Sequence, residues 1–550
     1  MKNSLSLFLI IVVSIFTFNF CDKQNFEHAV ESIKVDEIKN KIEILSSDEF
    51  LGRAPASLGE ERTIKYLEEQ FRRIGLNPGN GNSYFQEVPL FEIASHSWSK
   101  LNISNKKTSK SFGFIDDFVC GTSRFVENIS IKNSELIFVG YGIVAPEYNW
   151  NDYKGIDVKG KTVVVVVNDP GFVNGDSTFF NGKKMTYYGR WTYKFEEAAR
   201  QGAKSVLIIH DDDAAGYPWG VVQNSWSGRR FYIETPDNNM SDCEMNGWIS
   251  NSVANELFNM AGFDFGKELS SAAKTDFKAK NMKLSLSVSF KNKIEKKKSN
   301  NVIAALPGSE FKDEYLIYSA HWDHFGVNNT LVGDTILNGA IDNATGTAAL
   351  LELAEAYKSL DRPQKRSIIF LAVTCEEFGL LGSEYYAKNP IYPLNKTIAA
   401  INMDGLNIFG KTKDITIIGY GMSEADQFAE EVTRKYGRYI IPESQPEKGT
   451  YFRSDHFNYA KVGLPVIYFG SGIDNIEHGK DWTIEQTNKW TRENYHKPSD
   501  EFKLDLWKFD GMIEDVKIFF ETGYNLCNTK SFPNWKVGTP YKTIRDSMMK

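Results

Sequence analysis

Residues 367–379 read S-I-I-F-L-A-V-T-C-E-E-F-G, an apolar run that ends on two adjacent carboxylates, Glu376 and Glu377. A short continuous apolar run bounded by a turn signal is the pattern of a strand covered on both faces. The same grammar surrounds it. Y-L-I-Y-S-A at 315–320, T-I-A-A-I-N at 397–402 and L-P-V-I-Y-F at 464–469 are strand-like, and A-A-L-L-E-L-A-E-A-Y at 348–357 is an amphipathic helix between two of these runs. The alternation predicts an α/β fold with a mixed, largely parallel sheet flanked by helices on both faces. Ligands in such sheets gather beyond the carboxyl ends of the strands. Ionised carboxylates are rarely buried without compensation, so a pair of glutamates at such an end points to a bound cation, and strand alternation is expected to point the two neighbours different ways.

Other polar residues fall at comparable places. A-H-W-D-H puts His321 and Asp323 directly after one strand, and G-A-I-D-N-A-T-G places Asp342 in a glycine-bounded loop ahead of a helix. I-N-M-D-G ends a further strand on Asp404, and E-N-Y-H-K-P-S-D contains His496. Each residue alone is as well explained by a loop hydrogen bond or a helix cap. Together, two histidines and three carboxylates form the donor mixture expected of zinc. They exceed what one tetrahedral ion needs and suit two ions sharing a bridging carboxylate.

A chain of 550 residues is too long for one ordinary core and predicts two or more domains. Its 41% hydrophobic and 25% charged residues are globular throughout, and a net charge of −7 offers no footprint for nucleic acid. The first 20 residues hold one basic residue and an apolar stretch too short for a comfortable membrane span, which predicts an export signal. Cys21 follows at once and is a candidate for lipid attachment, although F-N-F before it departs from the small residues usual there. The expected location is therefore exported: periplasmic, held on a membrane by lipid, or secreted. Four further cysteines are too few for a disulfide scaffold and leave one Cys120–Cys243 bridge open.

Asp36–Arg53 and 59–75 have helical apolar spacing, the second segment closing at Gly75. Between 106 and 290 the pattern changes to short β runs such as K-T-V-V-V-V-V-N-D-P-G, which predicts a separate, mostly β module. N-K-I-E-K-K-K-S-N-N after it reads as a solvated linker or exposed loop.

A-H-W-D-H, G-A-I-D-N-A-T-G, E-E-F-G-L-L-G-S, N-M-D, R-S-D-H-F and Y-H-K-P-S-D occur in the order found in metallopeptidase family 28, the co-catalytic zinc aminopeptidases, and the chain resembles that family over about 30–105 and 295–525. The middle region is similar to the protease-associated domain that many members carry as an insert. The resemblance implies the zinc-dependent exopeptidase (phosphorylase/hydrolase-like) fold and this division: 1–21 signal peptide, 26–105 first part of the catalytic domain, 106–290 insert, 291–530 catalytic domain, 531–550 tail. It implies two zinc ions per chain, with Asp342 bridging them, His321 and Asp404 completing one site, and Glu377 and His496 the other. By the same resemblance Glu376 is the general base, Asp323 hydrogen-bonds the free nitrogen of His321, and Tyr495 stabilises the oxyanion. Peptides are the implied substrates, cleaved at the N-terminus.

The rival functions are a carboxypeptidase or modified-peptide hydrolase of the same fold, a glutaminyl cyclase, which uses one zinc, and a binding protein that has lost its ligands. The full ligand set argues against the last two. Of the remaining candidates, His324 reads as a loop contact, His456 as local structural support, His478 as a surface-loop residue and Cys375 as a core thiol. The aromatic stretches Y-Y-G-R-W-T-Y and G-Y-P-W-G-V read as ordinary packing.

Overall fold

The computed structural model describes residues 25–550; the N-terminal run and Cys21, which carry the export and lipid-attachment expectations, lie outside the described residues. Among the described residues no helix is long and apolar enough to cross a membrane. The described residues form two compact units, one of 25–88, 298–443 and 454–550, the other of 89–297 with 444–453. The expected insert bounds of 106 and 290 are therefore displaced outward. No compositional break marks the division, because two strands run through it: Phe85–His96 and the 27-residue Lys280–Leu306.

The main sheet of the first unit includes β1 (Lys280–Leu306, through its C-terminal end), β2 (Phe311–His321), β3 (Arg366–Val373), β4 (Thr397–Met403), β5 (Asp414–Ile418), β6 (Tyr439–Pro442) and β7 (Val466–Gly470). Their spatial order is β1-β3-β2-β4-β7-β5-β6. β3, β2, β4 and β7 are mutually parallel, while β1 and β5 run against their neighbours β3 and β7. All eight residues of β3 are buried, as the opening apolar run predicts for a sheet covered on both faces.

The longer helices of this unit among the described residues are α1 (Val35–Leu45), α2 (Leu58–Ile74), α3 (Thr345–Lys358), α4 (Leu381–Lys388), α5 (Asp426–Lys435), α6 (Gly479–Glu493) and α7 (Phe509–Asn528). α3 and α7 pack on β2, β3 and β4, and α1 and α2 pack on α3. Ser57 caps α2 by accepting from the N–H groups of Gly59 and Glu60, and Gly75 closes it in the left-handed region.

Four sequence expectations change. The first helix stops at Leu45 rather than reaching Arg53, because Leu51, Gly52 and Arg53 all have positive φ and fold D-E-F-L-G-R into a tight turn. The lysine run is part of β1 rather than a loop. Its cations are answered by Lys293–Glu295, Lys296–Glu234 and Lys298–Glu87 pairs along the strand, so charge there marks a solvated strand face. The expected tail 531–550 is anchored. Trp535 is buried and donates to the Gly463 carbonyl at 2.9 Å, and Arg545 donates to that of Thr397 at 2.8 Å. Finally, Cys120 and Cys243 are separate buried thiols that belong to different apolar clusters of the insert, so no bridge joins them.

The insert is mostly β, as expected, and also carries helices. Asn128–Phe138, Thr162–Val166, Ser205–Ile209 and Met245–Ile249 pair in parallel in that order, and Phe118–Gly121 closes the edge antiparallel. Parallel neighbours require crossover connections, here including the helix Trp191–Arg200.

One close approach holds the functional end of the first unit together. A Cβ on Gly346, in the first turn of α3, would lie 2.4 Å from Asn343 Oδ1 and 2.5 Å from the Met403 carbonyl. Gly346→Ala should therefore lower stability by about 1–3 kcal/mol through overpacking. Gly228→Ala, where nothing lies within 4 Å, should be near neutral. Urea unfolding midpoints of the two variants check this; equal midpoints would contradict it.

Candidate metal centre

β2, β3 and β4 end together at one edge of the sheet, with His321 in register with Val373 and Asp404 following Met403. His321 Nε2 lies 3.3 Å from Asp342 Oδ1 and 3.3 Å from Asp404 Oδ1. His496 Nε2 lies 3.3 Å from Asp342 Oδ2 and 3.1 Å from Glu377 Oε2. The two oxygens of Asp342 thus face two separate donor clusters. The structure brings all five sequence-predicted ligands together.

These spacings fit zinc. Bonds of about 2.0–2.1 Å in a tetrahedron separate neighbouring donors by about 3.3 Å. His496 Nε2 is buried without a hydrogen-bond partner even though two carboxylate oxygens stand beside it, and Glu377 Oε1 is likewise unsatisfied. Such orphaned atoms aimed at one point are what a cation would answer.

The electrostatics agree. Burial pulls the His496 imidazole down, but Glu377 and Asp342 outweigh it and hold the group up at about 10. His321 is also held well above its ordinary range, with Glu376 and Asp404 overcoming its burial. Burial raises Asp323 to about 8 and pushes Glu376 well above the usual carboxylate range, with Asp404 and Glu377 adding to the latter shift. The cluster favours added positive charge throughout.

Several side chains hold this arrangement. Asp342 sits in Ala340–Ala344, where Asp500 accepts from the N–H groups of Ile341 at 3.1 Å and Asp342 at 3.2 Å. Asn343 donates to the Met403 carbonyl at 3.0 Å and accepts from Gly405 N–H at 3.2 Å, which ties the Asp342 loop to the end of β4. Thr347 donates to the His321 carbonyl at 2.8 Å.

Arg53 is fully buried and donates to the carbonyls of Trp322 (2.9 Å), Leu45 (2.6 Å), Asn338 (2.6 Å) and Gly339 (2.8 Å). Burial lowers it to about 10, with Asp500, Asp323, Asp342 and Glu377 opposing that shift. Sequence reading missed both Arg53 and Asp500. The signal for Arg53 was the G-R-A-P turn, and for Asp500 the last residue of Y-H-K-P-S-D.

Three expected details differ. The Nδ1 of His321 meets the backbone carbonyl of Asp323 at 3.1 Å, whereas the Asp323 carboxylate is 3.9 Å away and instead accepts from Glu376 N–H at 3.0 Å. Asp323 therefore orients the general-base candidate more directly than the histidine. His324 is no loop contact; it is buried with Nδ1 against Glu377 Oε1, and it joins Asp342 and Glu377 as a group able to hold a metal. Glu376 and Glu377 lie beyond the end of β3 at Val373, so they diverge because Cys375 turns the chain at φ 55°, and strand alternation does not separate them.

Of the remaining candidates, Tyr495 is 45% exposed and stacks on His496 with ring centroids 3.7 Å apart. Cys375 is buried, His456 is buried beside the Tyr468 ring, and His478 lies at the surface against Trp482.

Residues 301–518 match the model of peptidase family M28. Over 123 residues the chain is 36% identical to the aminopeptidase NAALADL1 of Mus musculus, which is 21% of this chain and 15% of that protein. It is 29% identical over 157 residues to the glutamate carboxypeptidase 2 homolog of Caenorhabditis elegans, which is 27% of this chain and 19% of that protein. The matches therefore span less than a fifth of these curated relatives. Among solved structures, the aminopeptidase from Aneurinibacillus sp. strain AM-1 shares the fold with a TM-score of 0.52 at 18% identity, covering 92% of this chain and 97% of that one. The matched segment carries every donor of the two clusters, and over that segment the chain is similar to peptidase family M28.

Proposed function

We propose that the chain is a zinc-dependent exopeptidase that releases N-terminal residues from peptides. The observation that carries this reading is the shared Asp342: one carboxylate oxygen faces His321 and Asp404, the other faces Glu377 and His496, and Glu376 stands next to both groups without belonging to either. Two zinc ions held by these residues would supply Lewis acidity to the scissile carbonyl and to the attacking water.

The remaining work falls to side chains. Glu376 takes the proton of the attacking water on its carboxylate and delivers it to the nitrogen of the leaving amine. A carboxylate committed to a metal performs that transfer poorly, which is why the two glutamates must differ. The hydrogen bond from Glu376 N–H to Asp323 fixes where the base points. Tyr495, stacked on His496, presents its hydroxyl to the oxyanion of the tetrahedral state.

The name of the mouse relative supports aminopeptidase action, and the name of the nematode relative supports release of C-terminal residues as the second reading. The N-terminal apolar run supports export, with Cys21 as the site of a lipid anchor. The insert is read as a protease-associated domain.

Chromogenic aminoacyl substrates, N-blocked peptides and peptides with free C-termini, assayed before and after chelation, separate the readings. Aminoacyl turnover should vanish on chelation and return with zinc; turnover that survives complete zinc removal would refute the mechanism. Glu376→Gln should retain both metals while kcat falls about 10²–10⁴-fold, the range of general acid–base catalysis. Glu377→Gln should instead lose metal from one site. Metal analysis that finds the site emptied by Glu376→Gln would show the two roles reversed.

A further inference from the structure

The insert contains a cationic cluster that the metal centre does not use. Arg190, in Y-Y-G-R-W-T-Y, is 9% exposed at the start of the helix Trp191–Arg200, and its Nε is a buried donor without a partner. Among the described residues its guanidinium forms no hydrogen bond and no ion pair. Among the described residues the charged or ionisable groups that act on it are a second cation, Arg453, and the phenols of Tyr217 and Tyr187, with no carboxylate among them. Asp169, which lies close to the neighbouring Gly189, is already engaged by Thr186 through both its N–H and its hydroxyl, and by Gly171 N–H.

Arg453 belongs to the same unit through 444–453. Met185 N–H donates to the Pro446 carbonyl at 3.2 Å, and a Cβ on Gly449 would lie 3.5 Å from Arg190 Cδ, so this segment lies along the Arg190 side chain. Arg453 donates to the Lys448 carbonyl at 2.6 Å and stands over the Tyr217 ring at 5.5 Å, while its Nε is also buried and unsatisfied. Two neighbouring guanidinium groups with no ion pair among the described residues carry a desolvation cost that the Lys448 carbonyl and the Tyr217 ring offset only in part, and only at Arg453. A bound anion would remove it.

We propose that Arg190, Arg453 and the hydroxyl of Tyr217 form a carboxylate-binding site in the insert. The planar forks of two arginines suit a carboxylate, and a phenol adds a third donor. The choice of carboxylate over phosphate rests on the peptide reading above, since carboxylates are the anions of unmodified peptides; the site itself does not depend on that reading. Two sources share this chemistry, an acidic group of a peptide and a free organic acid.

Calorimetric titration of the zinc-loaded full chain tests the site without measuring turnover. Glutarate should bind, neutral glutaramide should not, and Arg190→Gln and Arg453→Gln should each weaken glutarate at least tenfold with metal content unchanged. In buffer free of carboxylate and phosphate, Arg190→Gln should unfold at the same temperature as the wild type or higher, because it removes an unpaired buried charge. A glutarate affinity equal in the wild type and both variants, a lower unfolding temperature for Arg190→Gln, or phosphate binding tenfold tighter than glutarate would overturn the proposal. Tighter binding of N-acetyl-glutamate amide than of glutarate assigns the site to peptide side chains, and the reverse assigns it to a free acid.

Discussion

One carboxylate organises the candidate metal centre. Asp342 offers its two oxygens in opposite senses, at 3.3 Å from His321 on one side and 3.3 Å from His496 on the other. Around it Asp323, Glu376, Glu377 and Asp404 crowd a region where Arg53 is the nearby permanent cation, and Arg53 spends its donors on backbone carbonyls. Uncompensated, such a concentration of buried acid would protonate or unfold the site. Three parallel strands ending at one edge bring the acids together, and two divalent cations would make that arrangement stable.

The precision of the centre comes from a layer of main-chain hydrogen bonds behind the donors. Asp500 holds the Asp342 loop, Asn343 ties it to the end of β4, and Arg53 joins the Trp322 carbonyl to those of Asn338 and Gly339. Asp323 performs the same service for Glu376. The two adjacent glutamates thus stand in different surroundings: Glu376 is held by the hydrogen bond of its own N–H, while Glu377 lies against His324 and His496 without a hydrogen bond at Oε1.

Much of this was legible in the sequence because it is periodic or local. The buried run at 367–373 gives the sheet its character, and four of the five donors, His321, Asp342, Glu377 and Asp404, lie at or just beyond a strand end or ahead of a helix, where α/β folds place ligands. What escaped was non-local. Arg53 acts across 269 to 286 residues of chain on main-chain carbonyls, which no side-chain pattern marks as its acceptors. The lysine run looks like a loop because its countercharges, Glu234 and Glu87, are far away in sequence. His324 cannot be told from a loop residue until Glu377 is placed against it. The divergence of Glu376 and Glu377 was expected from strand alternation, yet a left-handed residue at Cys375 produces it, a feature that no residue preference would have suggested.

The central claim is that a single carboxylate serves two cations. Zinc stoichiometry and affinity of Asp342→Asn, measured by competition with a chromophoric chelator beside the wild type, test it most directly. The account predicts two bound zinc ions in the wild type and weakened binding at both sites in the variant. A variant that keeps two ions at wild-type affinity, or that loses one site while the other is unchanged, would contradict it.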